Sequence, residues 1–279
     1  MTDNTQPTSP SADGDAARHP LITVATVTYN AGRTLERTLR SVAGQDYPAV
    51  EHVIVDGCSS DNTLALVQRY VERNTAEPHG HAIRLLREPD EGLYDAMNKA
   101  LSLATGDYIV FLNAGDKLHS SSTLSQVAAL SQWRPDDTSN PGIIYGETDI
   151  VDDEGRFLRH RRLAAPDRLT WRSFLQGMLV CHQSFYVRTD LARHEPYDRR
   201  YRFSADFDWC IRLMRKAEKR RAPIVNARLV LTDYLSEGLT TAHHRASLLE
   251  RLRIMGRRYG WCRAAAVHLW FVVRAVVRK

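Results

Sequence analysis

Apolar and polar positions change period several times along the first half of the chain. Leu21-Ile22-Thr23-Val24-Ala25-Thr26-Val27-Thr28 is uncharged and rich in β-branched residues, as a strand buried on both faces requires. Tyr29–Gly32 breaks it, and from Thr34 the spacing is helical, with Leu35, Leu39 and Val42 on one face until Gln45-Asp46-Tyr47-Pro48. His52–Asp56 predicts a second strand, and Asp61 a cap for a helix carrying Leu64, Val67 and Val71. Ile83–Arg87 predicts a third strand, Tyr94–Leu103 a helix, and Tyr108–Leu112 a fourth strand running into Asn113-Ala114-Gly115-Asp116. Strict alternation of strand and helix predicts an α/β fold, with a mostly parallel central sheet and helices on both faces. Beyond residue 140 the order loosens: 142–145 and 184–187 read as strands, and 207–216 as an amphipathic helix.

Composition narrows the picture. With 43% apolar and 25% charged residues the bulk of the chain has the make-up of a globular domain. The first 20 residues do not: they are polar, contain Pro and Ser, and lack the apolar run of an export signal, so they read as a solvated tail. Residues 21–242 form the expected folded domain, and 243–279 a basic amphipathic helical segment. Cys58, Cys181, Cys210 and Cys262 are far apart and form no CxxC pair, which predicts free thiols and a cytoplasmic setting. The net charge of +5 is unevenly distributed: residues 245–279 carry nine Lys/Arg and one acid, leaving the rest at −3. A nucleic-acid partner is therefore not expected, since such a binder carries its charge on the folded domain. Ala264–Val277 is apolar apart from His268 and Arg274 but too short to span a bilayer. With Trp261, Trp270 and Phe271 among arginines, the segment is expected to lie peripherally on an anionic membrane surface, at the inner face of the cell membrane.

Ligands of open α/β sheets bind beyond the carboxyl ends of the strands. The polar groups there are Thr28 and Asn30, Asp56 with Asp61, the Arg87-Glu88-Pro89-Asp90 turn, and Asn113 with Asp116. Each alone also reads as a turn or a cap; four such ends on one rim point to a binding site. No GxGxxG follows the first strand and no P-loop is present, which argues against a dinucleotide dehydrogenase or an NTPase.

Six stretches carry a more specific signal. They are Val27-Thr28-Tyr29-Asn30, Val55–Thr63 (VDGCSSDNT), Glu88–Ala100 (EPDEGLYDAMNKA), Thr105–Asp116 (TGDYIVFLNAGD), Cys181–Tyr186 (CHQSFY) and Ser204–Trp209 (SADFDW). In this order, over about residues 21–242, the chain resembles glycosyltransferase family 2, inverting enzymes with the Rossmann-like, nucleotide-sugar-binding GT-A fold. The Tyr-Asp-Ala-Met-Asn, His-Gln and Ala-Asp variants look like bacterial enzymes of exopolysaccharide or glycolipid synthesis.

The resemblance implies transfer of a sugar from a nucleotide-sugar donor to a hydroxyl of a glycan or lipid-linked acceptor, by direct displacement. It implies that Asp56 reads the nucleobase, and that Asp90, Gly92, Tyr94 and Asn98 line the donor pocket with Thr28, Asn30, Asp61, Arg87 and Asn113. It implies a divalent cation, Mg²⁺ or Mn²⁺, on the diphosphate. The usual Asp-x-Asp is altered here to Asn113-Ala-Gly115-Asp116, leaving Asp116 and Asn113 as hard oxygen ligands, with His243 as a further candidate. The general base maps onto Asp206, with Asp208 as the competing carboxylate and His182 beside the reacting groups. Burial of Asp206 among Phe203, Phe207 and Trp209 is expected to raise its pKa. The altered metal element also leaves open a catalytically degenerate protein of the same fold that binds nucleotide-sugar or glycan without transfer.

Overall fold

The computed structural model describes residues 19–77, 80–236 and 244–277. The first 18 residues of the expected tail, and His243, lie outside the described residues. Strands β1 (Ile22–Thr28), β2 (Val50–Asp56), β3 (Ala82–Arg87) and β4 (Tyr108–Phe111) alternate with helices α1 (Leu35–Ala43), α2 (Thr63–Ala76) and α3 (Leu93–Leu103). All these strand pairings are parallel, in the order β3-β2-β1-β4. β1 and β2 are buried at every position. Alternation along β2 explains this: Val53 and Val55 face α3, while Ile54 faces Leu39 of α1 and Val67 of α2. The buried face of α2 is Thr63, Leu66, Val67 and Tyr70, so Leu64 and Val71 lie at its border.

The second half adds β5 (Lys117–Leu118), α4 (Thr123–Ser131), β6 (Ile143–Val151), β7 (Phe157–His160), β8 (Phe185–Arg188), the short α5 (Thr189–Ala192), α6 (Ala205–Lys219) and β9 (Ile224–Leu235). The sheet continues β4-β8-β6-β9-β5, with β8 antiparallel to both its neighbours, β6 and β9 parallel, and β7 paired antiparallel on β6. α4 packs Leu124 and Val127 against one face of the sheet, and α6 packs Trp209 and Met214 against the other. Helices therefore cover both faces.

Two helices close the chain, α7 (His244–Tyr259) and α8 (Trp261–Val277). α7 is part of the domain's packing: Ile254 and Met255 belong to the same buried cluster as Phe111 and Trp209. Glu250 accepts hydrogen bonds from Arg202 N and Phe203 N at 2.8 Å each, and Ser247 pairs with Ser204 at 2.9 Å, so α7 clamps the chain just before α6. Trp261, Leu269 and Trp270 of α8 are exposed. Among the described residues no helix is long and apolar enough to cross a membrane.

His52, on β2, is wholly buried and lies between Thr26 Oγ1 at 3.0 Å and Tyr70 Oη at 2.9 Å. Burial, with the neighbouring His81, pushes its pKa down from 6.5 to about 3. The unfolded chain thus binds a proton there that the folded chain refuses. The stability contributed by the neutral ring is complete above the unfolded pKa and is lost as pH falls toward the folded one. Chemical denaturation is expected to show stability falling below pH 6.5 by up to about 1.4 kcal/mol per pH unit from this residue. His52→Gln is expected to flatten that slope relative to the wild type; an unchanged slope would assign the acid sensitivity to other groups.

Candidate active site

Thr28, Asp56 and Arg87 are register partners at the carboxyl ends of β1, β2 and β3, which sets three predicted site residues in one row. The loops beyond them are tied together. Asp61 accepts from Gly32 N and Thr63 N, both at 2.9 Å, joining the turn after β1 to the start of α2. It does so from the residue before Asn62, which occupies the cap position by backbone geometry. Asn30 Oδ1 accepts from Ser60 N at 2.8 Å, and Ser59 Oγ from Asn30 N at 2.9 Å. Asn30 and Cys58 both hold left-handed backbone, φ 49° and 62°, strain of the kind that collects at functional turns. A Cβ on Gly57 would meet Asp90 Oδ2 at 2.2 Å, so a larger residue there would displace the Asp90 carboxylate.

Asp56 is fully buried, with Ser59 Oγ at 2.5 Å, Ser59 N at 3.0 Å and Arg87 Nε at 3.6 Å. A ligand reaches this carboxylate only if the half-exposed Arg87 or the Ser59 turn gives way. Thr28 Oγ1 is buried without a hydrogen-bond partner among the described residues. Asp90 accepts from Gly92 N at 2.9 Å, and Gly92, at φ 117°, opens α3 in a conformation that favours glycine.

On the other side of the rim, three distant segments meet at Asp206 in the first turn of α6. Tyr94 Oη donates to its Oδ1 at 3.0 Å, and His182 Nδ1 lies 3.3 Å from its Oδ2. His182 Nε2 in turn lies 3.3 Å from Asn113 Nδ2, and Asn113 Oδ1 is buried without a partner. Burial would raise the Asp206 pKa, as the sequence predicts. The hydrogen bond and charge of His182 and the charge of Arg251 outweigh it, and the pKa is lowered. The expected upward shift is thus corrected: a charge partner wins over desolvation.

Asp116 is buried, accepting from Gln183 Nε2 at 2.9 Å and from Leu235 N at 3.0 Å. Burial pushes its pKa up to about 6, against the lowering effect of those two hydrogen bonds and of His182 and Arg37. The buried, unpartnered Asn113 oxygen is a hard ligand of the kind a divalent cation takes, while each oxygen of the Asp116 carboxylate already accepts one hydrogen bond.

Two predicted residues do other work. Asp208 is fully buried, bound by Arg212 Nε at 2.8 Å and by Arg258 at 2.7 and 3.0 Å, which locks α6 to α7. It is not brought to Asp206's partners. Asn98 gives both amide atoms to Tyr197, accepting from its N at 2.7 Å and donating to its O at 3.0 Å, which ties α3 to the 194–201 loop. Sequence reasoning missed Ser59 and Arg251 at the site, and the contribution of β9 through Leu235. The Asp-Gly-x-Ser spacing that lets Ser59 fold back on Asp56 was a usable signal; Leu235 acts through its backbone and offered none.

If His182 holds the Asp206 pKa down, its removal leaves burial in control. Carboxyl ¹³C NMR titration of His182→Ala is expected to move the Asp206 transition to higher pH than in the wild type. A transition at unchanged pH would mean that the 3.3 Å contact carries no charge coupling.

Comparison with known proteins adds the lineage. The model of the family described as "Glycosyl transferase family 2" matches residues 23–194. A PGL/p-HBAD biosynthesis glycosyltransferase of Mycobacterium tuberculosis is 34% identical over 195 residues, 69% of each chain. A putative teichuronic acid biosynthesis glycosyltransferase, TuaG of Bacillus subtilis, is 40% identical over 98 residues, 35% of this chain and 37% of that protein. Among solved structures, S. aureus TarS 1–349 in complex with UDP matches with a TM-score of 0.63 at 19% identity, covering 85% of this chain and 64% of TarS 1–349, somewhat under two thirds. A Pyrobaculum calidifontis mannosyltransferase in complex with GDP-Man and Mn²⁺ matches with a TM-score of 0.58 at 21% identity, covering 91% of this chain and 72% of that one. At these identities the structural likeness is one of fold.

Proposed function

The chain belongs to glycosyltransferase family 2, and on that premise we propose that it transfers a sugar from a nucleoside-diphosphate donor to an acceptor hydroxyl with inversion, Asp206 acting as general base. The observation that carries this is the convergence of Tyr94, His182 and Asp206 beside Asn113, with Asp206 ionised and held at both oxygens. The acceptor O–H gives its proton to Asp206, the acceptor oxygen bonds to the anomeric carbon, and the bond from that carbon to the diphosphate oxygen breaks on the opposite side. The electron pair leaves with the nucleoside diphosphate. Tyr94 and His182 fix the carboxylate's direction, so the base is aimed before the acceptor arrives.

The nucleoside lies over the ends of β1–β3, against Thr28, Asn30, Asp56 and Asp90, with Arg87 the side chain that swings aside or turns to the diphosphate. Asn113 and Asp116 would hold a divalent cation, which when bound neutralises the leaving diphosphate. Uridine and guanosine both present a ring N–H that the Asp56 carboxylate can accept.

Asp206→Asn keeps the shape and the Tyr94 contact but removes the base. Its kcat is expected to fall by about 10²–10⁴-fold while nucleoside-diphosphate affinity, read by calorimetry, stays near wild type. Wild-type protein that binds donor yet neither hydrolyses nor transfers it, with Asp206→Asn indistinguishable, would establish the degenerate binder instead.

We also propose a lipid-linked acceptor met at an anionic membrane surface. The support is α8, whose exposed Trp261, Leu269 and Trp270 stand among the arginines that give residues 245–279 their net positive charge. Co-sedimentation with phosphatidylglycerol vesicles is expected to exceed that with phosphatidylcholine, and Leu269→Ser with Trp270→Ser to weaken it at least about tenfold. Equal, weak retention on both vesicle types would remove the membrane role.

A further inference from the structure

A second constellation lies on the far half of the sheet, apart from the residues given to the donor and the base. Lys117 on β5, Asp233 on β9, Asp149 on β6 and His160 on β7 are successive register partners, so one row crosses four strands. Register partners share a face of the sheet, and His119, just beyond β5, joins the row from the same side. Asp149 and Asp233 are 6% and 5% exposed, two carboxylates nearly withdrawn from water side by side. His119 Nδ1 lies 2.6 Å from Asp233 Oδ1, Lys117 Nζ 2.9 Å from Asp233 Oδ2, and His160 Nδ1 2.8 Å from Asp149 Oδ1. Ligand atoms of His119, Asp149 and Asp233 all lie within 4.8 Å of one another.

Burying two adjacent carboxylates is costly unless positive charge accompanies them. Lys117 supplies one charge, at one oxygen of Asp233. His160 meets one oxygen of Asp149, whose side chain is only 9% exposed. An imidazole nitrogen and two carboxylate oxygens converging on one point are the donor set of a divalent transition ion. His160, bound to Asp149 from outside, holds that carboxylate in the way outer partners orient metal ligands.

We propose that His119, Asp149 and Asp233 form a second, structural site for a divalent transition ion of the Zn²⁺/Mn²⁺ class. The ion takes the place of the hydrogen bond between His119 and Asp233, and water completes its shell. Its effect is mechanical. β5 is two residues long, and Lys117 directly follows Asp116, so an ion joining the end of β5 to β6 and β9 fixes the chain on which Asp116 is mounted.

The test uses the full chain, stripped of metal with a chelator, with no nucleotide present. Titration with Zn²⁺ and, separately, Mn²⁺ is expected to show one saturable equivalent of at least one of them, accompanied by a rise in melting temperature. His119→Gln, at a half-exposed position, is expected to retain the circular dichroism of metal-free wild type and to bind at least about tenfold more weakly. Asp149→Asn is expected to do the same. Asp116→Asn, which alters the donor's cation site, is expected to leave this equivalent intact. No saturable binding of either ion, binding unchanged in both His119→Gln and Asp149→Asn, or loss only in Asp116→Asn would overturn the proposal. None of these outcomes depends on whether transfer activity is found.

Discussion

A carboxylate withdrawn from solvent must be met by donors, and Asp206 obtains its donors from parts of the chain far apart in sequence. Tyr94 comes from the first turn of α3 and holds one carboxylate oxygen; His182, from the turn before β8, meets the other and lowers the pKa of Asp206. Hydrogen bonds to a charged group are worth about 1.5–3 kcal/mol each, and loss of either would leave a buried charge short of partners. The same requirement fixes where α6 begins. Ser204 is pinned by Ser247, the two preceding backbone amides by Glu250, and Asp208 by Arg258, all from α7. The C-terminal basic segment therefore has two physical halves: α7 holds the first turn of α6 in position, and α8 presents apolar rings outward.

The opposite side of the rim is built on different physics. Three parallel strands end in register, and the connections after them would leave amides unpaired if they ran directly into helices. Asn30, Asp56, Ser59 and Asp61 satisfy those amides with side chains, and two of the turn residues adopt left-handed backbone to do so. The result is a polar floor in which Arg87 and the Ser59 turn are the parts that must give way for a ligand to reach Asp56.

This division explains which parts were legible in the sequence. The first half has a strong period, two for the strands and 3.6 for the helices, and its elements appear where the pattern predicts, within a residue or two. β9 escaped notice because its alternation is interrupted: the pairing with β6 shifts register twice, and Arg228 takes φ 55° within the strand. β5 is too short to have a period at all, and α4, with five buried residues in nine, lacks a clear polar face. Motif residues were found by type and order, but partners were not. Asp208 looks like Asp206 in the sequence until Arg258, fifty residues on, is seen to hold it. Asn98 likewise gives no sign in the sequence that both its amide atoms meet the Tyr197 backbone.

Asn113 is the departure from the family's usual Asp-x-Asp that makes most physical sense once its neighbours are known. Its amide is 3.3 Å from His182, and His182 is 3.3 Å from Asp206. A carboxylate at position 113 would compete with Asp206 for the imidazole, and would place a further negative group near Asp116, whose pKa burial already pushes up to about 6. Two buried carboxylates close together drive one of them toward its protonated form. A neutral amide adds no negative charge beside His182 and keeps an oxygen without a hydrogen-bond partner among the described residues. The neutral residue at 113 and the lowered pKa at 206 thus belong to one arrangement, in which the imidazole hydrogen-bonds one acid, Asp206, and also draws down the pKa of the other, Asp116.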